Sequence, residues 1–246
     1  MVFPPGRLAA VGAGLLVGCQ APGPPSPTTI VASDQTAFVP AARITSESSQ
    51  SERDSSDVGR SGAFEFNYFY SRGSDTQQVS ASDQPIKLGG VNFRGPQEVQ
   101  HDFRLHWYEV NARGRIFSDS PDRVFGLDFL IGGAFPRLDF RVSTPTQQAA
   151  ESFGRFGVTT GVGVLLRLRH GTSAQGRYTY YRGLGEQDDL RNATRGELYL
   201  AQALTRNIVM RAGYTDWSMH IARGSASASD LNIKMRGPSL GLEIAF

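Results

Sequence analysis

From Gly62 to the C-terminus, apolar residues recur at every second position. The clearest stretch is 156–168. Its even positions are Phe156, Val158, Thr160, Val162, Val164, Leu166 and Leu168; its odd positions are Gly157, Thr159, Gly161, Gly163, Leu165 and Arg167. A β-strand sends these two sets to opposite faces. Phe64, Phe66, Tyr68 and Tyr70 likewise alternate with Glu65, Asn67 and Ser71, and Phe103, Leu105 and Trp107 with Arg104, His106 and Tyr108. Phe125, Leu127, Phe129 and Ile131 alternate with Gly126 and Asp128, and Tyr178 and Tyr180 with Arg177 and Thr179. Leu198, Leu200 and Leu204 alternate with Glu197, Tyr199 and Ala201; Ile208, Met210, Ala212 and Tyr214 with Arg211 and Gly213. Leu240, Leu242, Ile244 and Phe246 alternate with Ser239, Gly241, Glu243 and Ala245. The pattern predicts eight strands, at 62–72, 98–112, 122–142, 153–169, 174–183, 194–204, 207–222 and 230–246. Its phase changes near Gly132-Gly133 and Gly237-Pro238, which predicts bulges there.

A soluble sandwich buries its apolar face and leaves a polar face in water. Here the second face is rich in glycine with scattered charge, which suits the narrow lumen of a membrane wall whose apolar face meets lipid. The predicted fold is therefore all-β: a closed, antiparallel, up-and-down transmembrane β-barrel of eight strands. Connection lengths support it. The links at 170–173 and 205–207 are short, whereas 73–97, 143–152, 184–193 and 223–229 are longer or more polar. Short turns on one side and long loops on the other is the expected asymmetry, with both chain ends on the periplasmic, short-turn side. The link at 113–121 is long for that side.

The last eight residues, Ser239 to Phe246, carry a polar residue, then Gly241, Ile244 and a terminal aromatic, Phe246. That ending resembles the outer-membrane β-signal, and residues 62–246 resemble in pattern the small eight-stranded outer-membrane barrels of the OmpA- and OmpX-like group. The resemblance implies a bacterial outer-membrane location, lipid as surroundings and the barrel-assembly machinery as a partner during biogenesis. It implies no particular activity.

The first residues read differently. After Arg7, residues 8–18 form an apolar run too short to span a bilayer as a helix. Leu16-Val17-Gly18-Cys19 resembles the bacterial lipobox. Residues 1–18 are then a signal peptide, and Cys19 is the lipid attachment site. The alternative is an ordinary signal peptide cut after Ala21. Residues 19–61 hold Pro22, Pro24, Pro25 and Pro27 and then a Ser/Glu/Arg/Asp-rich stretch. They read as a disordered periplasmic tether to the barrel at 62–246.

Cys19 is the single cysteine, so no intrachain disulfide is possible, and the net charge of +2 favours no nucleic-acid partner. No metal or cofactor motif is present. The predicted lumen face carries Glu65, Asp128, Glu197 and Glu243 against Arg104, Arg167, Arg177 and Arg211, with His106 and Tyr108 nearby. Eight strands leave room only for side chains, so these charges read as a packed network; a narrow solute pore is the sharper alternative. Asp216, Ser218 and His220 share a strand face. Serine between acid and histidine is the wrong order for a triad, so no catalytic residue is assigned. Tyr68, Tyr70, Trp107, Tyr178, Tyr180, Tyr181, Tyr214 and Trp217 are expected to form an interfacial girdle. The expected function is non-enzymatic, in envelope structure or loop-mediated surface contact. The alternatives are an outer-membrane lipid-active enzyme, the small-solute pore, and a soluble lipocalin-like barrel.

Overall fold

A computed structural model describes residues 29–30, 39–48, 60–83, 85–118, 124–168, 170–185, 189–222 and 231–245. Cys19, the signal segment before it and Phe246 lie outside the described residues. The described residues are all-β. In chain order the segments are β1 (Thr29–Ile30), β2 (Val39–Ser48), β3 (Arg60–Val79), β4 (Ile86–Leu88), β5 (Val91–Phe93), β6 (Gln97–Phe117), β7 (Phe125–Ser143), β8 (Gln148–Gly154), β9 (Gly157–Arg167), β10 (Thr172–Gly183), β11 (Asp189–Ala203), β12 (Ile208–Ala222) and β13 (Leu231–Ala245).

Nine of these strands form a ring closed by hydrogen bonds, in the order β2, β3, β6, β7, β9, β10, β11, β12, β13 and back to β2. Eight of its joints are antiparallel, and the ninth, β13 to β2, is parallel. The eight expected strands are all present, but the described residues form twelve strands of three residues or more. The extra ring strand, β2, comes from the stretch read as a tether. There Ala42 and Ile44 point outward, while Arg43 and Thr45 are buried. Serines and charges on either side dilute this short alternation.

The parallel joint also changes where the chain enters. β1 pairs with Asn232 and Ile233, and β2 then runs beside β13 in the same direction. The chain therefore enters the ring at the end where β13 begins and leaves at the other. The two chain ends themselves, whose side was an expectation of the sequence, lie outside the described residues.

The end where β13 begins is called the loop end here. It carries β4, β5 and β8. Gly89 and Gly90, both at positive φ, make the two-residue turn between β4 and β5. At the opposite turn end, His170 and Gly171 are both left-handed and join β9 to β10, with Leu168 N–H bonded to the Thr172 carbonyl at 2.8 Å. β6 continues to Phe117, which shortens the link that looked too long.

Neither expected bulge exists. Register is unbroken through Gly132-Gly133 and through Gly237-Pro238; among the described residues the one shift is between Leu190 and Asn192. Inward positions stay even along β7 and odd along β13. The apparent change of phase is a change in what the interior contains. Asp128 faces in near the turn end of β7, whereas Leu138, Phe140 and Val142 face in near the loop end.

Candidate functional site

The ring's interior is divided into two layers. The turn-end layer is polar. Arg43, Arg113, Arg115, Arg177, Arg195 and Arg211 are buried there with Glu65, Glu109, Asp128, Glu197 and Glu243. Strand alternation puts them there: Glu109, Asn111, Arg113 and Arg115 take successive inward positions of β6 while Val110, Ala112 and Ile116 point outward.

Glu65 is the hub. It accepts hydrogen bonds from Arg113 Nη1 at 2.7 Å and from Arg177 Nη1 and Nη2 at 2.7 and 3.3 Å, and Arg43 Nε lies 3.8 Å away. Arg115 grips Asp128 with two bonds, of 2.5 and 2.8 Å. Arg195 grips Glu109 with two more, of 2.7 and 3.1 Å, and its Nε reaches Glu197 at 3.1 Å. Arg211 pairs with Glu243, which also accepts the Thr45 hydroxyl at 2.9 Å. Neutral groups extend the network. Arg43 donates to Asn67 and to Tyr199 Oη, and Tyr199 donates to Gln175 at 2.7 Å. Beside Arg43 and Tyr199 the interior keeps a void of only about 20 Å³.

The loop-end layer is apolar. Trp107 and Trp217 stack edge to face at 4.8 Å, with Tyr181 and Phe69 against them at 5.1 and 5.7 Å. Arg195 sits beneath, its guanidinium 4.2 Å from the Phe69 ring centre and 5.0 Å from that of Trp217, so the layers meet through cation–π contacts. Above the tryptophans lie Leu105, Leu138, Phe140, Met219, Ile221 and Ile233. The β4–β5 hairpin adds Ile86, Leu88 and Phe93, each almost wholly buried. His101 is buried in this layer against Phe140, at 5.9 Å, and neither ring nitrogen has a hydrogen-bond partner. Burial pushes its imidazole below the ordinary value, against the pull of Asp75 and Asp102.

Outside, the order is reversed. Around the turn-end layer every ring strand points apolar residues outward, among them Phe64, Ile131 and Leu198 at 69, 63 and 67% exposure. Along β9 and the residue that follows it, the band runs from Val158 to Leu168. Those ten residue steps give a height of ~25 Å for a strand tilted by ~40°. Around the loop-end layer the outward residues are polar, as with Arg72, Ser74, Thr76 and Gln78 on β3.

Of the residues assigned to the interior from sequence, the structure brings Glu65, Asp128, Arg177, Glu197, Arg211 and Glu243 together there. Arg104 is not among them. It lies exposed on the outer face of β6, with His106 and Tyr108 on that same face. Arg167 is at the turn-end rim, exposed, with its guanidinium 4.4 Å from the Phe117 ring centre. Sequence reading missed Arg43, Glu109, Arg113, Arg115 and Arg195. The signal for three of them was the Glu109-Arg113-Arg115 alternation, overlooked because β6 was phased on Phe103, Leu105 and Trp107. The aromatic girdle also splits: Tyr178, Tyr180 and Tyr214 point outward, whereas Trp107, Trp217 and Tyr181 are buried inside. Gly241 faces inward beside Ala41, and Ile244 points outward at 42% exposure. On β12, His220 Nδ1 is bonded to Asn232 Oδ1 at 2.7 Å, and Asp216 stands opposite Arg236 across the strand pair. Asp216 therefore does not orient His220, and these residues form no hydrolase triad. The chain matches no protein-family model, no curated protein and no solved structure.

Proposed function

We propose that the chain is an integral outer-membrane β-barrel protein with a sealed interior, acting without catalysis in envelope structure or through contacts made at its loop end. One observation carries this reading: an outward apolar band on all nine ring strands encircles an interior of buried ion pairs. In water that arrangement would be doubly unfavourable. Each exposed large side chain would forgo about 1.5–3 kcal/mol of burial, and each interior charge would still bear its desolvation cost. In lipid the apolar band is matched, and a closed ring leaves no backbone edge unsatisfied.

The sealed interior disfavours the pore. A void of about 20 Å³ admits about one water, and the Trp107–Trp217 pair packs above it. The expected result in planar bilayers is no conductance. Lipidation at Cys19, and recognition of the Gly241–Ile244–Phe246 ending by the assembly machinery, belong to the same proposal and rest on the sequence patterns.

Fractionation and refolding test the reading together. The expressed chain should sediment with outer membranes, and the purified chain should show a heat-dependent gel shift only after refolding into detergent or lipid. A folded chain that stays monodisperse in detergent-free buffer would overturn it.

A further inference from the structure

The odd number of ring strands fixes how the chain runs through the wall. β2 crosses first, and the eight antiparallel joints that follow reverse the direction each time, so the ring is entered at one end and Ala245 stands at the other. Several pairings agree on the entry end. Ala41 to Ser48 run antiparallel to β3, against Phe69 to Gly62. Val39 to Thr45 run parallel to β13, against Ser239 to Ala245. Thr29 and Ile30 pair with Asn232 and Ile233, beside the first residue of β13. Side chains hold the same direction, since Arg43 donates to Asn67 on β3 and Thr45 to Glu243 on β13. β2 is ten residues long, enough to cross the hydrocarbon of a membrane. The chain ahead of Thr29 therefore joins the ring at the loop end.

The loop end has the character of an outer face. Links 168–171 and 204–207 at the turn end are short turns, whereas 80–96 and 144–156 at the loop end carry β4, β5 and β8. Cys19 stands ten residues ahead of Thr29, and Pro22, Pro24, Pro25 and Pro27 lie between them. Each proline lacks the N–H that a ladder uses, and an unpaired backbone is not tolerated in lipid, so this stretch is unsuited to a further crossing. It is long enough to return to the near leaflet. Ten residues extend to at most ~36 Å. From the level of Asn232 to Leu240, where the outward apolar residues of β13 begin, eight residue steps descend ~20 Å at a tilt of ~40°.

We propose that the segment ahead of β1 is presented on the outer face of the membrane, with the acyl chains on Cys19 in the leaflet at the loop end. The sidedness rests on the membrane reading above, and the leaflet rests also on lipidation at Cys19. The proposal reverses the periplasmic tether expected from sequence, because that expectation counted eight crossings and the ring has nine.

The test uses the full chain in intact cells. Cys19 is the single cysteine, and lipidation converts its thiol to a thioether, so an introduced cysteine becomes the one group open to a maleimide. Ser26→Cys stands ahead of β1, Ala81→Cys at the loop end and Arg206→Cys at the turn end; the last two positions are exposed. A membrane-impermeant maleimide should label S26C and A81C on intact cells, and R206C only after the outer membrane is permeabilised. S26C that follows R206C would overturn the proposal and leave the barrel standing. Labelling of R206C with A81C silent would turn the barrel over and overturn it equally. Equal labelling of A81C and R206C on intact cells would sink the membrane reading instead. The wild type should take up palmitate and stay unreactive even when denatured. A reactive wild type, or one without palmitate, would overturn the leaflet assignment and leave the sidedness to be decided by S26C.

Discussion

β6 contains two strands' worth of chemistry in one. Towards the loop end, Val99, Phe103, Leu105 and Trp107 point inward while Glu98, Gln100, Asp102 and Arg104 point outward. Towards the turn end, Glu109, Asn111, Arg113 and Arg115 point inward while Val110, Ala112 and Ile116 point outward. Parity never changes along the strand; the solvent implied by each half does. The loop-end half is built as a water-soluble β-structure is, with an apolar core and a polar surface. The turn-end half is built inside out. Along β6 the chain thus joins a water-adapted cap to a lipid-adapted wall without interrupting the ladders to β3 and β7.

The comparison predicts different failures in the two halves. The largest effect should follow Glu65→Ala, which leaves Arg113, Arg177 and Arg43 together in the interior without their shared carboxylate. Breaking a buried pair in this way costs about 3–5 kcal/mol. Thermal unfolding in detergent should show the loss as collapse of the whole ring. Near-wild-type stability would mean that water, not packing, fills the charged layer.

Phe93→Ala should have a local effect. It removes about 3 kcal/mol of packing from the β4–β5 hairpin, whose ladder pairs with no ring strand and whose turn residue Gly89 donates to Glu151 on β8 at 3.3 Å. Limited proteolysis should cut between residues 86 and 93, while the heat-dependent gel shift of the ring persists. Simultaneous loss of both would show that cap and wall are one cooperative unit.

How much of this was legible in the sequence follows from the same comparison. The apolar-out rule found the turn-end parts of eight ring strands. It mis-phased β6 because Phe103, Leu105 and Trp107 lie above the band, where apolar residues turn inward. Carried past Gly132 and Pro238, the same rule produced two bulges that the register does not contain. β2 was missed for a different reason. It has only Ile44 as a large outward residue, and its inward Arg43 and Thr45 resemble the polar sequence around them. Pairwise partners such as Arg195 with Glu109 join residues 86 positions apart, and no local pattern encodes that choice.

Two further experiments sharpen the boundary. Val162→Arg places a charge outward within the band and should cost about 2–4 kcal/mol in lipid. Thr76→Arg makes the same change on the outer face of the loop end and should be close to neutral. Refolding yields in liposomes would separate them, and equal yields would erase the distinction between the halves. Ser at Gly161 is not a neutral control, since a Cβ there would lie 2.8 Å from the Tyr178 carbonyl oxygen.

The smallest effect concerns His101. Its imidazole is buried and titrates below its unfolded value of about 6.5. The unfolded chain therefore takes up this proton first as pH falls. The stability that neutral His101 contributes is full above about pH 6.5 and is lost below it, by up to about 1.4 kcal/mol per pH unit until the folded group also protonates. His101→Phe should remove this part of the pH dependence and raise the relative melting temperature at pH 5. An unchanged acid slope would assign that slope to other groups.

The seam between β13 and β2 has a mechanical consequence. It is seven residue pairs long, against twenty between β3 and β6, so the backbone offers least resistance to tearing at this joint. Side chains reinforce it from within. Thr45 on β2 holds Glu243 on β13, and Glu243 holds Arg211 on β12, like rivets set behind a short weld. The turn-end charges thus carry load where the ladder is shortest. Pulled apart sideways, the wall would open along this line first, and it would open only after those rivets had sheared.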